Sequence, residues 1–186
     1  CLFIVPGKNR GTQTYLDALL RHMVKDSRVT LLCVVNKLNA EHYAGIVGDN
    51  LVHMPITGES TAIRGLFQQF TLPFLAVLKK ADLLFCPGYL SPIITIKPTI
   101  PVIHDMNFFD LEGGMGRLVR LMYKWILPSS TRSARTVMTI SEFSKERIVS
   151  VLGVASSKVS VVHEGPMDAI ESVDDFEPVE CELKTS

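Results

Sequence analysis

Short apolar runs rich in β-branched residues alternate along the chain with segments whose apolar positions recur every three or four residues. Cys1-Leu2-Phe3-Ile4-Val5 reads as a buried strand. Leu16, Leu19, Leu20, Met23 and Val24 follow at helical spacing and predict a helix with one apolar stripe. The pattern then predicts a strand over 29–35, a short helix over 40–46, a strand over 51–54 and a long apolar helix over 61–80, bent or broken near Pro73. Strands over 82–86 and 100–103 each end in punctuation: Pro87-Gly88 after the first, His104-Asp105 after the second. A helix over 116–133, a strand over 136–140, a helix over 141–152 and a strand over 159–162 complete the alternation. Such an order predicts an α/β fold, a three-layer Rossmann-like parallel sheet of about seven strands covered on both faces.

After residue 162 the pattern stops. His163-Glu164-Gly165-Pro166 punctuates the last strand, and Asp174-Asp175-Phe176-Glu177-Pro178-Val179-Glu180 carries too much charge and too little periodicity to be an element. A domain over 1–165 and a linker or terminal acidic segment over 166–186 are the expectation.

Composition sharpens this division. The 186 residues are 47% hydrophobic, enough for one substantial core. Formal charge is zero, yet residues 1–163 hold 18 Lys and Arg against 11 Asp and Glu, a surplus of seven bases, while residues 164–186 hold one Lys against eight acids. A basic body suits phosphate-bearing ligands or an anionic lipid face; solvated faces beside a frayed terminus would leave the same count. Cys1, Cys33, Cys86 and Cys181 show no C-x-x-C spacing, so a reducing compartment and no zinc site are expected. No segment approaches the ~18 to 20 uninterrupted apolar residues of a membrane span, and no internal repeat occurs. A chain that opens on a strand, without initiator Met or basic leader, is expected to have been trimmed or to lack a few starting residues.

Candidate chemistry falls at strand ends, where open parallel sheets bind ligands. One junction is Val102-Ile103-His104-Asp105; the other is Thr139-Ile140-Ser141-Glu142-Phe143-Ser144-Lys145. The His104 imidazole donates at one nitrogen and accepts at the other, which suits hydroxyl recognition, although a histidine closing a strand end would read the same. Asp105 orients that ring or starts the next loop. Ser141 reads first as an N-cap, with Glu142 complementing the helix dipole, and a capped helix end is also an anion-facing surface. The loop Pro6-Gly7-Lys8-Asn9-Arg10-Gly11-Thr12 has glycines that let backbone approach an anion ahead of a helix N-terminus. It is neither G-x-G-x-x-G nor a P-loop, because Thr12 stands where the lysine would be, and a tight turn alone would need the same glycines. Finally, 115–140 carries Arg117, Arg120, Lys124, Arg132 and Arg135 without an acid, a basic amphipathic pattern that fits either lipid headgroups or a core helix with a basic outer face.

Taken in order, Gly11-x-x-x-Tyr15, Leu72-Pro73, Ala81-Asp82-Leu83-Leu84-Phe85-Cys86-Pro87, Val102-Ile103-His104-Asp105, Ser133-Ala134, Ile140-Ser141-Glu142-Phe143-Ser144-Lys145, Leu152-Gly153-Val154, Lys158-Val159 and Gly165 resemble the amino-terminal half of family 4 glycosyltransferases. The resemblance covers about residues 1–168. It implies the acceptor-side domain of a retaining, metal-independent GT-B enzyme, with the C-terminal donor-binding domain absent from this chain. It further implies His104 as the catalytic residue beside the donor sugar, and Gly7, Gly11, Thr12, Asp105, Ser141 and Glu142 as substrate-binding. The implied partners are a nucleotide-sugar donor, held mainly by the other domain, and a carbohydrate or lipid-linked acceptor, with no nucleic acid, no cofactor and no metal. Cytoplasmic location with peripheral contact at the inner membrane face, through the basic helix 116–133, belongs to the same expectation. A fragment of this kind is expected to be inactive alone. The alternatives are a non-catalytic binding or scaffold module, one subunit of a split glycosyltransferase, or an epimerase of like architecture.

Overall fold

The structure, a computed structural model, describes residues 4–5, 10–106 and 117–165. Of the stripe its spacing predicts, helix α1 (Arg10–Lys25) buries Leu16 and Leu20, half-buries Leu19 and Met23 and leaves Val24 exposed; it ends with His22 and Lys25 in the turn where cations complement the dipole. Strand β1 (Cys33–Val35), helix α2 (Ala40–Val47) and β2 (Leu51–His53) follow. Helix α3 (Thr61–Leu66) runs through a π turn (Phe67–Thr71) into α4 (Leu72–Leu78). The chain continues with β3 (Leu84–Cys86), β4 (Thr99–Pro101), α5 (Arg117–Ser133), β5 (Val137–Thr139), α6 (Glu142–Leu152), a 3-10 turn (Ser156–Lys158) and β6 (Val159–Val161).

Pro73 accounts for the π turn. It has no N–H to give Gln69, and its ring crowds that carbonyl in a regular α-helix. The preceding turn widens instead, and Leu72 N–H reaches back five residues to the Phe67 carbonyl. Helix α6 stops cleanly because Gly153 takes φ +64°, and its N–H closes on the Val149 carbonyl at 3.0 Å.

The fold is mixed α/β with parallel strands, but the expected sheet of about seven strands is not what the described residues form. They give six strands in three parallel pairs: β1 with β2, β3 with β4, and β5 with β6. One parallel bridge, Val102 to Met138, ties the second pair to the third, where Ile103 N–H bonds the Met138 carbonyl at 2.8 Å. No ladder joins the first pair to the second among the described residues. A cavity of about 580 Å³ lies there instead, lined by residues 31–34 and 83–86 with Leu16, Leu20, Leu72 and Ala76. Of the expected first strand only Ile4 and Val5 are described; both are buried, and neither belongs to a strand. Of the strand expected over 29–35, Cys33–Val35 is paired among the described residues, while Val29 N–H closes a turn to the Asp26 carbonyl. The acidic segment 166–186 lies outside the described residues.

Three apolar clusters hold the described residues together, the smallest being Met54, Ile56 and Leu72. Ile4, Leu16, Leu20, Cys33, Val35, Tyr43 and Val47 pack under α1 and α2. Ile103, Tyr123, Leu127, Val137, Ile148 and Leu152 are among those that pack β4, β5, α5 and α6 together. Helix α5 therefore buries Tyr123 and Leu127, and turns Leu121, Lys124 and Trp125 outward.

Candidate functional site

Four strand ends and two helices converge at His104. The residue follows β4 and the buried Val102 and Ile103, so its backbone emerges from the core at the carboxyl edge. Two contacts fix that backbone. The Thr139 hydroxyl donates to the Ile103 carbonyl at 2.7 Å, and the Ser144 hydroxyl donates to the His104 carbonyl at 2.8 Å.

Around the imidazole stand groups from three other elements. Glu164, just past β6, places Oε1 3.4 Å from Nδ1; the His104 side chain is 11% exposed and the Glu164 side chain 43%. The Tyr15 ring, from α1, meets the imidazole edge-on with centroids 5.0 Å apart, and the Tyr89 ring, just past β3, stands at 6.1 Å. A carboxylate beside Nδ1 favours the proton on that nitrogen and leaves Nε2 as an acceptor. Nε2 is buried and has no hydrogen-bond partner among the described residues. An unmet buried acceptor is unfavourable by about 1–3 kcal/mol, and a ligand hydroxyl delivered there would relieve it.

The tyrosines respond to the same enclosure. Burial, then the Glu164 charge, raises the Tyr15 hydroxyl above its ordinary value. Burial, followed by the Asp105 charge and a hydrogen bond to Asp105, raises that of Tyr89. Tyr89 also holds φ +63°, a left-handed conformation that disfavours a bulky side chain by roughly 1–3 kcal/mol. Its N–H on the Val102 carbonyl at 3.0 Å and its hydroxyl on Asp105 keep it there.

The sequence-expected residues divide. His104, Asp105 and Ser141 come together at the carboxyl edge. Ser141 is the N-cap of α6: its Oγ accepts the Ser144 N–H at 3.1 Å and donates to the Ser144 hydroxyl, which in turn holds the His104 carbonyl. Glu142 is exposed in the first turn of α6, where its charge complements the dipole. Gly11 and Thr12 lie within the first turn of α1 rather than in a loop, and a Cβ at Gly11 would meet nothing within 4 Å. Gly7 lies outside the described residues. Tyr15, Tyr89 and Glu164 were not among the expected site residues. The available signals were Tyr15 one helical turn after Gly11, Tyr89 directly after Pro87-Gly88, and Glu164 closing its strand as His104 closes β4. The 580 Å³ cavity does not reach this cluster, since its lining ends at Gly88.

Ser141→Ala should therefore lower stability by about 1 kcal/mol, the usual loss for an N-cap, or roughly 2–4 °C in Tm. Thermal unfolding followed by circular dichroism checks this. An unchanged Tm would mean that the cap carries no weight.

The family model described as Glycosyltransferase Family 4 matches residues 9–165, a span that includes every residue of the His104 cluster. No curated protein and no solved structure matches the chain.

Proposed function

The chain belongs to glycosyltransferase family 4, and from that premise we propose that it is the Rossmann-like, acceptor-binding half of a retaining, metal-independent GT-B enzyme. The reaction moves a sugar from a nucleotide-sugar donor to an acceptor hydroxyl. One observation carries the reading: a buried imidazole with an unmet acceptor nitrogen, walled by two tyrosines at the carboxyl edge of the strands.

In this reading His104 Nε2 accepts a hydrogen bond from a hydroxyl of the transferred sugar, and Glu164 keeps the ring's other proton on Nδ1. The rings of Tyr15 and Tyr89 exclude water from that face. Gly11 and Thr12 sit in the first turn of α1, which has no acidic residue, so the free N–H groups of that turn favour the departing diphosphate. The bond from the anomeric carbon to the diphosphate oxygen breaks with its electron pair leaving on the diphosphate. The same carbon takes the acceptor oxygen, whose proton passes to the departing diphosphate oxygen. Preorganised charge against the leaving group supplies most of the acceleration, and no step calls on a metal. Residues 1–165 form the domain, 166–186 the linker, and a second domain outside these residues holds most of the donor. In this reading the domain is inactive alone, and the complete enzyme works in the cytoplasm.

A panel of nucleotide sugars, offered to the complete natural polypeptide with and without carbohydrate or lipid-linked acceptors, tests the proposal. The expected result is a glycosylated acceptor formed only when donor and acceptor are both present. An isomerised donor sugar formed without acceptor would make the protein an epimerase, and no turnover of any donor would leave a binding module.

A further inference from the structure

The outward face of the helix running through α3, the π turn and α4 is apolar from end to end. Ile63, Leu66, Phe70, Phe74, Val77 and Leu78 are all exposed, Phe70 by 73% and Phe74 by 67%. No charged residue occurs between Arg64 and Lys79. An ordinary surface helix buries its apolar stripe and turns charge to water. Here the buried stripe is Gly65, Gln68, Leu72 and Ala76, and the solvent side is the more hydrophobic one. The stripe is about 22 Å long at the rise of an α-helix.

A second apolar projection joins it. The Gln68 side-chain amide donates to the Leu90 carbonyl, the Gln69 side-chain amide donates to the Ser91 carbonyl at 3.0 Å, and Ile93 N–H donates back to Gln69 Oε1 at 2.9 Å. The widened turn lets two consecutive glutamines clamp this loop while Phe70 still points outward. Just beyond the clamp, Ile94 and Ile96 are 85% and 87% exposed. Tyr89, which flanks His104, is the residue immediately before the clamped segment. The apolar surface is therefore continuous in the chain with the candidate site.

We propose that this helix and the 94–96 loop form a docking surface for an anionic lipid bilayer, with the phenylalanines and isoleucines entering the headgroup–acyl boundary. Charge selects this occupant. Arg64, Lys79, Lys80 and Lys97 bound the apolar residues, against Glu59 and Asp82, so the rim is net basic. A second copy docked on a two-fold axis would bring the same basic rim against itself, whereas anionic headgroups complement it. Among the described residues no helix is long and apolar enough to cross a membrane, so the attachment lies in the plane of the surface. This surface is separate from helix 116–133, which buries Tyr123 and Leu127 in the core and leaves Leu121 and Trp125 exposed. The inference rests on exposure and charge, and stands whether or not the sugar-transfer reading does.

Cosedimentation with phosphatidylcholine vesicles containing about 30% phosphatidylglycerol tests it. The parental chain should pellet with these vesicles and stay in solution with pure phosphatidylcholine. Phe70→Glu with Phe74→Glu should lower the partition coefficient about tenfold or more, and Ile94→Ser with Ile96→Ser should lower it independently. All four side chains are exposed, so far-UV circular dichroism should match the parent. Parental protein that ignores the anionic vesicles, or variants that pellet as the parent does, would overturn the proposal. So would a parental dimer that the Phe70/Phe74 variant converts to a monomer, because the face would then belong to a second copy.

Discussion

Replacing His104 by alanine in the complete transferase should lower kcat/KM by about a hundredfold or more, the usual contribution of a positioned imidazole, while moving thermal unfolding by only a few degrees. The split follows from where the ring sits. Its backbone is held by Ser144, and its flanks are the core residue Ile103 and the tyrosines, so the strand end survives without the ring. What disappears is the one acceptor nitrogen that no described residue uses. His104→Gln offers an amide oxygen in roughly the same region and should recover part of the loss. Steady-state kinetics beside a melting curve separate the two effects. Transfer at the parental rate would remove His104 from the reaction.

The largest expected loss of stability lies away from the site, at Asn36. This residue is fully buried just past β1, and its side chain makes three hydrogen bonds to other described residues. Nδ2 donates to the Ile4 carbonyl at 2.8 Å, while Oδ1 accepts from Leu38 N–H at 2.8 Å and Asn39 N–H at 3.2 Å. Asn39 returns the arrangement, accepting from Asn36 N–H at 3.0 Å and donating to the same Ile4 carbonyl at 2.9 Å. Truncation to alanine strands the buried Asn39 N–H and the part-buried Leu38 N–H, and weakens the tie that holds Ile4 against the α1–β1 core. A loss of about 3 kcal/mol is expected, or roughly 6–12 °C in Tm for a chain of this size. Asn36→Asp should be at least as damaging despite its shape, because it turns an anionic oxygen toward the Ile4 carbonyl. Urea unfolding measures both. An alanine variant within about 0.5 kcal/mol of the parent would mean that water replaces the amide.

Much of this architecture was legible in the sequence, and the exceptions have physical causes. The stripe of Leu16 and Leu20, the N-cap Ser141 and the stop at Gly153 are local signals, each decided by residues within a turn or two. Pro73 announced a break; the placing of that break two to six residues earlier, as the π turn Phe67–Thr71, did not show, because hydropathy has the same phase on either side. Strand pairing was overestimated at residues 29–32, since apolar runs mark candidates for a sheet but carry no record of which edge they meet. At the site, His104, Asp105 and Ser141 lie on punctuation after strands and could be read directly. Tyr15, Tyr89 and Glu164 meet His104 from positions 89, 15 and 60 residues distant in the chain, and only tertiary packing brings them there. Gly11 shows the opposite failure, a residue that reads as loop yet sits in a helix.

The cavity between β1 and β3 has a practical consequence through the thiols beside it. Cys33 lies in β1 and Cys86 in β3, both buried and unbridged. Burial raises both thiols, Cys86 to about 12, so the nucleophilic thiolate is scarce while the chain is folded. Alkylating reagents reach these sulfurs at the pace of local opening, and each reports on a different strand pair. Equal labelling rates would describe one cooperative unit that breathes as a whole. Unequal rates would describe two that come apart along the cavity, with the candidate site, shared between α1 and the later strand ends, assembled only when they close.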